Sequence, residues 1–160
     1  MADPIERYDL GLCPPVDANA LVDELLNRID FKSAGFDSVV LLPRVTAYVD
    51  SYAMDHDVVI WHSGEPEQPD ANLKAWVWRF TLDLTIVNRD PERNYRLAKL
   101  LHREISRWPY AAETASGKVG TILDNPMFAL NATGDVVTSK TAVIRSCTKL
   151  IQAGCKPDLS

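Results

Sequence analysis

The chain has 160 residues, 46% of them apolar, and a net charge of −5, which suits one folded domain with its own core. No apolar run approaches the roughly 18 residues of a membrane helix, and the acidic N-terminal end is unlike a secretory signal, so we expect a cytosolic or intracellularly assembled protein without membrane contact. The negative charge argues against general nucleic-acid binding, which needs clustered lysine and arginine. Residues 1–30 carry seven acids and two bases, so the whole negative excess lies there.

An N-terminal arm over residues 1–16 leads into an amphipathic helix that begins near Asp17. Pro14 and Pro15 lie at the end of the arm. Apolar residues then recur at intervals of three and four, which places them on one side of a helix. They are Leu21, Val22, Leu25, Leu26 and Ile29. A helix with this pattern needs a sheet to cover.

Short strands are predicted next, at Val39–Leu42, Arg44–Asp50 and Asp57–His62, because these runs alternate or are rich in β-branched residues. Pro43 cannot donate to a central ladder, so the first pair is an edge strand, a bulge or one interrupted strand. The polar segment Ser63–Asn72 is too long for a tight hairpin. We predict a mobile contact loop there, with Gly64, Glu65, Glu67 and Asp70 as its contact residues.

The segment Lys74–Val87 is a long alternating strand. Its apolar face carries Trp76, Trp78, Phe80, Leu82, Leu84 and Ile86, and its polar face carries Arg79, Thr81, Asp83 and Thr85. A period of two is typical of a half-buried strand. At about 3.3 Å per residue the segment would reach roughly 46 Å, beyond the usual strand length. We therefore predict either a bulge or an end that projects toward another subunit.

A polar turn and an amphipathic helix over residues 91–108 follow this strand. Asp90 can cap the free N–H groups of the helix, and Pro91 suits its first position. One side of the helix is apolar, with Leu97, Ala98, Leu101, Ile105 and Trp108, and the opposite side is basic, with Arg93, Arg96, Lys99, Arg103 and Arg107. The simplest interpretation of the basic side is a solvated surface. The alternative is a head-to-tail contact with Asp17, Asp23 and Glu24 of a neighbouring copy, which would close a ring.

The remainder of the chain is predicted to be mainly β-structure. We expect a loop at Tyr110–Lys118, strands at Val119–Asp124 and Met127–Asn131, a turn at Ala132–Asp135 and a long strand at Val136–Ile151. A flexible tail over residues 152–160 is predicted to fray. Residues 1–160 thus form one α/β domain of the α+β type, a mixed, mainly antiparallel sheet flanked by an N-terminal helix and one long central helix.

Candidate catalytic and metal-binding residues are few. Metal-ligand types are concentrated only at Asp55, His56, Asp57 and His62, and on one strand His56 and His62 would lie about 20 Å apart. Cys13, Cys147 and Cys155 are odd in number and lack a Cys-x-x-Cys pair, which indicates neither a disulfide framework nor a zinc site. Motifs for a serine nucleophile, a metalloprotease helix or a phosphate loop are absent. We predict no catalysis, no metal and no cofactor, and a strand cysteine such as Cys147 as a core residue.

The four tryptophans offer a second binding hypothesis, a stacking platform for single-stranded nucleic acid. Their spacing matches the apolar faces of the predicted strand and helix, basic residues do not alternate with them, and the net charge is negative. We therefore interpret Trp61, Trp76, Trp78 and Trp108 as residues of the core or of a subunit interface.

The order of elements from Asp17 to Ile151, with the stretch FTLDLTIVNRDPERNYRLAKLLHREI at its centre, resembles the tail terminator (tail completion) proteins of long-tailed bacteriophages. The resemblance implies a hexameric ring on the head-proximal end of the tail tube, which ends tube polymerisation and joins the tail to the neck and head. It implies no catalytic residues. Its expected partners are further copies of the chain, the major tail tube protein and the neck or head-completion proteins. Genomic DNA would pass through without specific binding, and the location would be the tail-neck junction of the virion, after assembly in the host cytoplasm.

Two alternative functions remain. Another head-tail connector or neck protein, or a tail tube subunit, would share the sheet but have partners on both faces or polymerise without end. A small metal- or ligand-dependent enzyme would instead need His56 and His62 beside one ion.

Overall fold

The computed structural model describes residues 16–43, 57–68, 77–111, 113–135 and 141–154. Within these ranges the chain forms two α-helices and a six-stranded mixed sheet, so the predicted α+β class is confirmed. The elements in chain order are α1 (Ala18–Asn27), β1 (Val39–Pro43), β2 (Asp57–Ser63), β3 (Trp78–Asn88), α2 (Pro91–Ser106), β4 (Lys118–Asp124), β5 (Ala129–Asp135) and β6 (Thr141–Gly154).

The sheet has the strand order β1–β2–β3–β6–β4, and β5 also pairs with β6. β1 and β2 are parallel, whereas the other pairs are antiparallel. Pro43 ends the outermost strand β1, as expected for a residue that cannot donate to a ladder. The long strand β6 pairs with β3 along one side and with β5 and β4 in succession along the other.

The alternation of β3 separates the two faces of the sheet. Phe80, Leu82, Leu84 and Ile86 are buried against the helices, whereas Thr81 on the opposite face is exposed. Every residue from Trp78 to Asn88 has a partner in β6 without a register shift. The predicted bulge or projecting end is therefore wrong for this part of the strand, because β6 is long enough to cover it. The predicted residues 74–76 lie outside the described ranges.

The two helices cover one face of the sheet with the apolar sides predicted for them. The Asp17 carboxylate accepts a hydrogen bond from the backbone N–H of Ala20 at 3.0 Å and so caps α1. The Asp90 carboxylate caps α2 in the same way, 3.0 Å from the N–H of Glu92. The buried side chains of the two helices themselves are those of Leu21, Val22, Leu25, Leu26, Leu97, Ala98, Leu101 and Ile105. None of the helices in the described ranges combines the length and apolar character needed to cross a membrane.

Two sequence predictions near the end of the chain are wrong. Ala132–Asp135 is not a turn, because β5 continues to Asp135 and Gly134 pairs with Ala142. The pairing of β5 with β6 shifts its register after Leu130, and the strand continues beyond this irregularity. Residues 152–154 do not fray, because they complete β6, where Ala153 is buried between Trp78 and Val119. The predictions for residues 1–15, 44–50 and 155–160, including those for Cys13 and Cys155, lie outside the described residues.

Candidate assembly surfaces

A shallow basic groove runs along the outer side of α2. Its lining residues are Ala34, Phe36, Arg96, Lys99, Leu100, His102, Arg103 and Met127, and its volume is about 500 Å³. The Arg96 guanidinium lies over the Phe36 ring at 5.6 Å, a cation–π arrangement that holds the side chain along the groove. The groove therefore combines an apolar floor with three cationic side chains, a composition suited to an acidic partner that also has apolar contacts.

Arg93, the first residue of the predicted basic side, has a partner within the chain. Its Nε lies 2.9 Å from both carboxylate oxygens of Asp57, and its Nη2 lies 2.7 Å from Oδ2. Asp57 is 5% exposed, whereas the Arg93 side chain is 34% exposed, so the bidentate pair covers a buried carboxylate from the solvent side. The hydrogen bond to Asp57 raises the pKa of Arg93. Arg93 thus attaches α2 to the start of β2 and is absent from the lining of the basic groove.

The same carboxylate begins a buried polar network that sequence reasoning missed. The Asn88 amide donates to Asp57 at 3.0 Å, and the Asn94 amide donates to Asn88 at 3.0 Å and to the Val143 carbonyl at 2.9 Å. Asn94 is fully buried. The helical period places Asn94 on the apolar side of α2. This position indicates from the sequence that the Asn94 side chain has a hydrogen-bond partner, because a buried polar group needs one. The network fixes α2 above β2, β3 and β6.

An acidic groove lies beside the first turn of α1. It is lined by Asp17, Asn19, Ala20, Asp23, Pro43, Trp61 and His62 and has a volume of about 570 Å³. The structure thus brings together Asp17 and Asp23, two of the three predicted acidic contact residues. Asp17 is engaged as the helix cap, and exposed Asp23 accepts from the Asn27 amide at 3.2 Å. Glu24 lies outside this lining and pairs with Arg28 at 2.9 Å.

Part of the predicted contact loop runs beside β3. The backbone N–H and C=O of Glu67 exchange hydrogen bonds with Arg79 at 2.8 and 2.7 Å. At Gly64, a Cβ atom would lie 2.8 Å from the Thr81 hydroxyl, so a larger residue there would require the Thr81 side chain to move. The Glu65 and Glu67 side chains are exposed beyond this attachment. Asp70 lies outside the described residues.

A buried lysine lies behind the basic groove and was also missed by sequence reasoning. Lys149 is fully buried on the helix side of β6. Its ammonium lies 2.6 Å from the Asn125 side-chain oxygen, 2.7 Å from the Pro126 carbonyl and 3.1 Å from Nδ1 of His102. Burial lowers the pKa of Lys149. Burial, followed by the nearby Lys149 charge, lowers the pKa of His102.

The remaining candidate residues contribute mainly to packing. Cys147 packs against the core, as predicted, and burial raises its pKa to about 11. Trp61 and Trp108 are buried core residues and Trp78 is partly buried against the core, whereas Trp76 lies outside the described ranges. Within those ranges no group of three or more His, Cys, Asp or Glu side chains could hold a metal ion. His56, which the alternative metal-dependent enzyme would need beside His62, is not among the described residues.

Comparisons with known proteins identify no family for the chain. No protein-family model matches it, and no curated protein matches it. One solved structure aligns with 89% of this chain and 99% of its own, with a TM-score of 0.46 and 10% sequence identity. That structure is named only by a sequence identifier, which states no ligand, partner or activity. Similarity at this level assigns nothing to the present chain.

Proposed function

We propose that the protein is a structural virion protein that forms a ring at the head-proximal end of a phage tail tube. The observation that carries this proposal is the presence of a basic groove on α2 and an acidic groove beside α1 in one chain. A contact between these two different surfaces is heterologous, and repeated heterologous contacts close into a ring when the rotation between copies permits it. A hexamer is the ring size implied by the resemblance to tail terminators.

Charged and apolar side chains of the basic groove contribute to association in different ways. Exposed ion pairs contribute about 0 to 1 kcal/mol each, so Arg96, Lys99 and Arg103 mainly orient the incoming copy and exclude wrong registers. Half-buried apolar side chains in the basic groove, Ala34 and Met127, supply area that becomes buried on contact. A modest affinity per contact suits a ring, because closure makes every copy bind two neighbours.

The remaining surfaces are assigned to the tube and the neck. We propose that exposed Glu65 and Glu67 contact the tube or the adjacent copy, since the backbone of Gly64 and Glu67 is hydrogen-bonded to β3 while both glutamate side chains are exposed. One ring face would reproduce the interface of the tube, and the other would bind the neck or head-completion proteins and prevent further tube growth. The protein acts by binding in this account and has no catalytic step.

Negative-stain images of the purified protein, alone and mixed with its tube subunit, test this function. Discrete rings alone, and tubes of limited length in the mixture, are the expected result. Long tubes formed by the protein alone would instead identify a tube subunit. Deletion of residues 65–69 tests the loop separately, because tails of normal length from infected cells would exclude its proposed role.

A further inference from the structure

A closed circuit of hydrogen bonds starts and ends on His102. The Ser106 hydroxyl donates to the His102 backbone carbonyl at 2.6 Å, and the Asn125 amide donates to the Ser106 hydroxyl at 2.8 Å. The oxygen of the same Asn125 amide accepts from the Lys149 ammonium at 2.6 Å. Lys149 closes the circuit at Nδ1 of His102, 3.1 Å away. The imidazole is therefore held along one edge, in addition to its attachment to α2.

The circuit determines which ring nitrogen of His102 carries the hydrogen. The single hydrogen of the serine hydroxyl goes to the His102 carbonyl, so the hydroxyl oxygen accepts from the Asn125 nitrogen and the Asn125 oxygen faces Lys149. An ammonium group donates and does not accept, so Nδ1 is an acceptor without a hydrogen. Burial and the Lys149 charge lower the pKa of His102, which keeps the ring neutral at about pH 7. The one ring hydrogen consequently lies on Nε2.

Nε2 of His102 is open to the basic groove. Lys149, which holds the Nδ1 edge of the ring, is fully buried, whereas His102 itself lines the groove. Among the described residues Nε2 has no hydrogen-bond partner, and it is not one of the buried polar atoms that lack a partner. The groove therefore contains one directional donor without a net charge, beside the cations Arg96, Lys99 and Arg103.

A carboxylate is the group that suits this donor. The three cations attract an anionic surface, but their long side chains do not fix a carboxylate at one place, and salt screens them. The imidazole presents a single N–H in a fixed direction, and a hydrogen bond to an ionised acceptor is about twice as strong as one to a neutral acceptor. The site is therefore specific for an acidic side chain at one position of the partner.

The acidic groove of a second copy supplies such a carboxylate at Asp23. Asp17 in the same groove is engaged as the cap of α1. Asp23 is exposed, and its Oδ1 accepts from the Asn27 amide at 3.2 Å. Within the described part of the chain no hydrogen-bond donor reaches Oδ2 of Asp23. This oxygen is available to a donor from another copy.

We propose that His102 sets the register of the subunit contact by donating its Nε2 hydrogen to the Asp23 carboxylate of the neighbouring copy. The inference rests on the proposed ring and names the hydrogen bond that positions one copy on the next. Arg96, Lys99 and Arg103 supply attraction between the grooves, and the imidazole supplies the geometry.

A double-mutant cycle tests this hydrogen bond, with sedimentation equilibrium of the full chain as the measurement. His102→Asn keeps an oxygen near the position of Nδ1 for Lys149 but places no atom at the position of Nε2, and Asp23→Ala removes the acceptor. His102→Asn is expected to weaken each contact about tenfold, as the loss of a hydrogen bond to a charged group does. In the Asp23→Ala background the same change is expected to have little effect.

Two results of the cycle would count against the inference in different ways. An unchanged association of His102→Asn, or an equal loss in the two backgrounds, would overturn the inference while leaving the ring intact. A wild type that stays monomeric would contradict the proposed function and the inference together. Thermal unfolding of His102→Asn close to that of the wild type is the control for the fold.

Nitrogen NMR of the isotopically labelled wild type tests the inference without a variant. The chemical shifts of the two ring nitrogens distinguish the protonated nitrogen from the unprotonated one. His102 is expected to carry its hydrogen on Nε2 at about pH 7, above the ordinary histidine pKa. A hydrogen on Nδ1 would overturn the inference, because Nε2 would then be an acceptor and could not bind a carboxylate.

Discussion

Arg93 donates to both carboxylate oxygens of Asp57 and joins the first turn of α2 to the first residue of β2. A basic residue on the outer side of a helix is usually solvated, but here the acceptor is 5% exposed and also receives the Asn88 amide. The pair therefore separates Arg93, which is structural, from Arg96, Lys99 and Arg103, which line a groove.

Asp57→Asn is expected to destabilise the fold by about 2 kcal/mol, because the variant weakens a charge-assisted bidentate pair at a buried site. Urea unfolding of the variant and the wild type measures the loss. The matched control is Glu24→Gln, which breaks the exposed pair with Arg28 and should cost about 0.5 kcal/mol or less. Equal losses for both variants would show that Asp57 has no special role in attaching α2.

Gly117→Ala is expected to destabilise the start of β4 by about 1 to 3 kcal/mol. Gly117 has φ +139°, and an added Cβ would lie 2.7 Å from the Gly154 carbonyl oxygen. Gly120→Ala, three residues later within β4, is the control, since its nearest neighbour would be 3.7 Å away and its cost should be within about 0.5 kcal/mol. Thermal unfolding distinguishes them, and a neutral Gly117→Ala would contradict the close pairing of β4 with the end of β6.

Acid is expected to weaken the fold of the unassembled protein through His102. The pKa of His102 in the folded state is lowered from 6.5. As pH falls, the unfolded chain therefore binds the proton before the folded chain does. The corresponding stability is complete above about pH 6.5 and is lost as pH falls toward the folded pKa. In dilute solution the free energy of unfolding of the wild type should therefore decline more on acidification than that of His102→Asn. If the free energy of unfolding depended on pH equally in the two proteins, a lowered pKa of His102 beside Lys149 would be excluded.

Most of the described fold could be predicted from local patterns. The alternation of Phe80, Leu82 and Leu84 and the cap at Asp90 depend on neighbouring residues only, and such features determine strands and helix starts. Gly134 favours a turn when the sequence is read locally, whereas pairing with β6 keeps it in a strand. The end of β6 is equally hidden from local patterns, since its partners Trp78 and Val119 are distant in the chain.

The candidate surfaces are predictable only in part. The helical period places Arg96, Lys99 and Arg103 on one side of α2, and it places Arg93 there as well. Only the fold shows that Asp57, 36 residues earlier, lies beneath Arg93. Lys149 is the clearest omission, because its three acceptors come from α2 and the β4–β5 connection, and no local pattern in β6 specifies them.

Charge reversal across the two grooves tests the central claim, a head-to-tail contact between copies. Arg103→Glu alone and Asp23→Arg alone each place like charges at the contact, and each is expected to weaken assembly. Both residues are exposed, so neither change should unfold the chain, and thermal unfolding provides the control.

Light scattering of the variant that carries both changes is the most direct measurement. In a heterologous ring of this variant, every contact again has opposite charges at the two exchanged positions, so the mass of the wild-type ring is expected to return. A doubly changed protein that stays as dissociated as the two single variants, or single variants that keep the wild-type mass, would contradict the account.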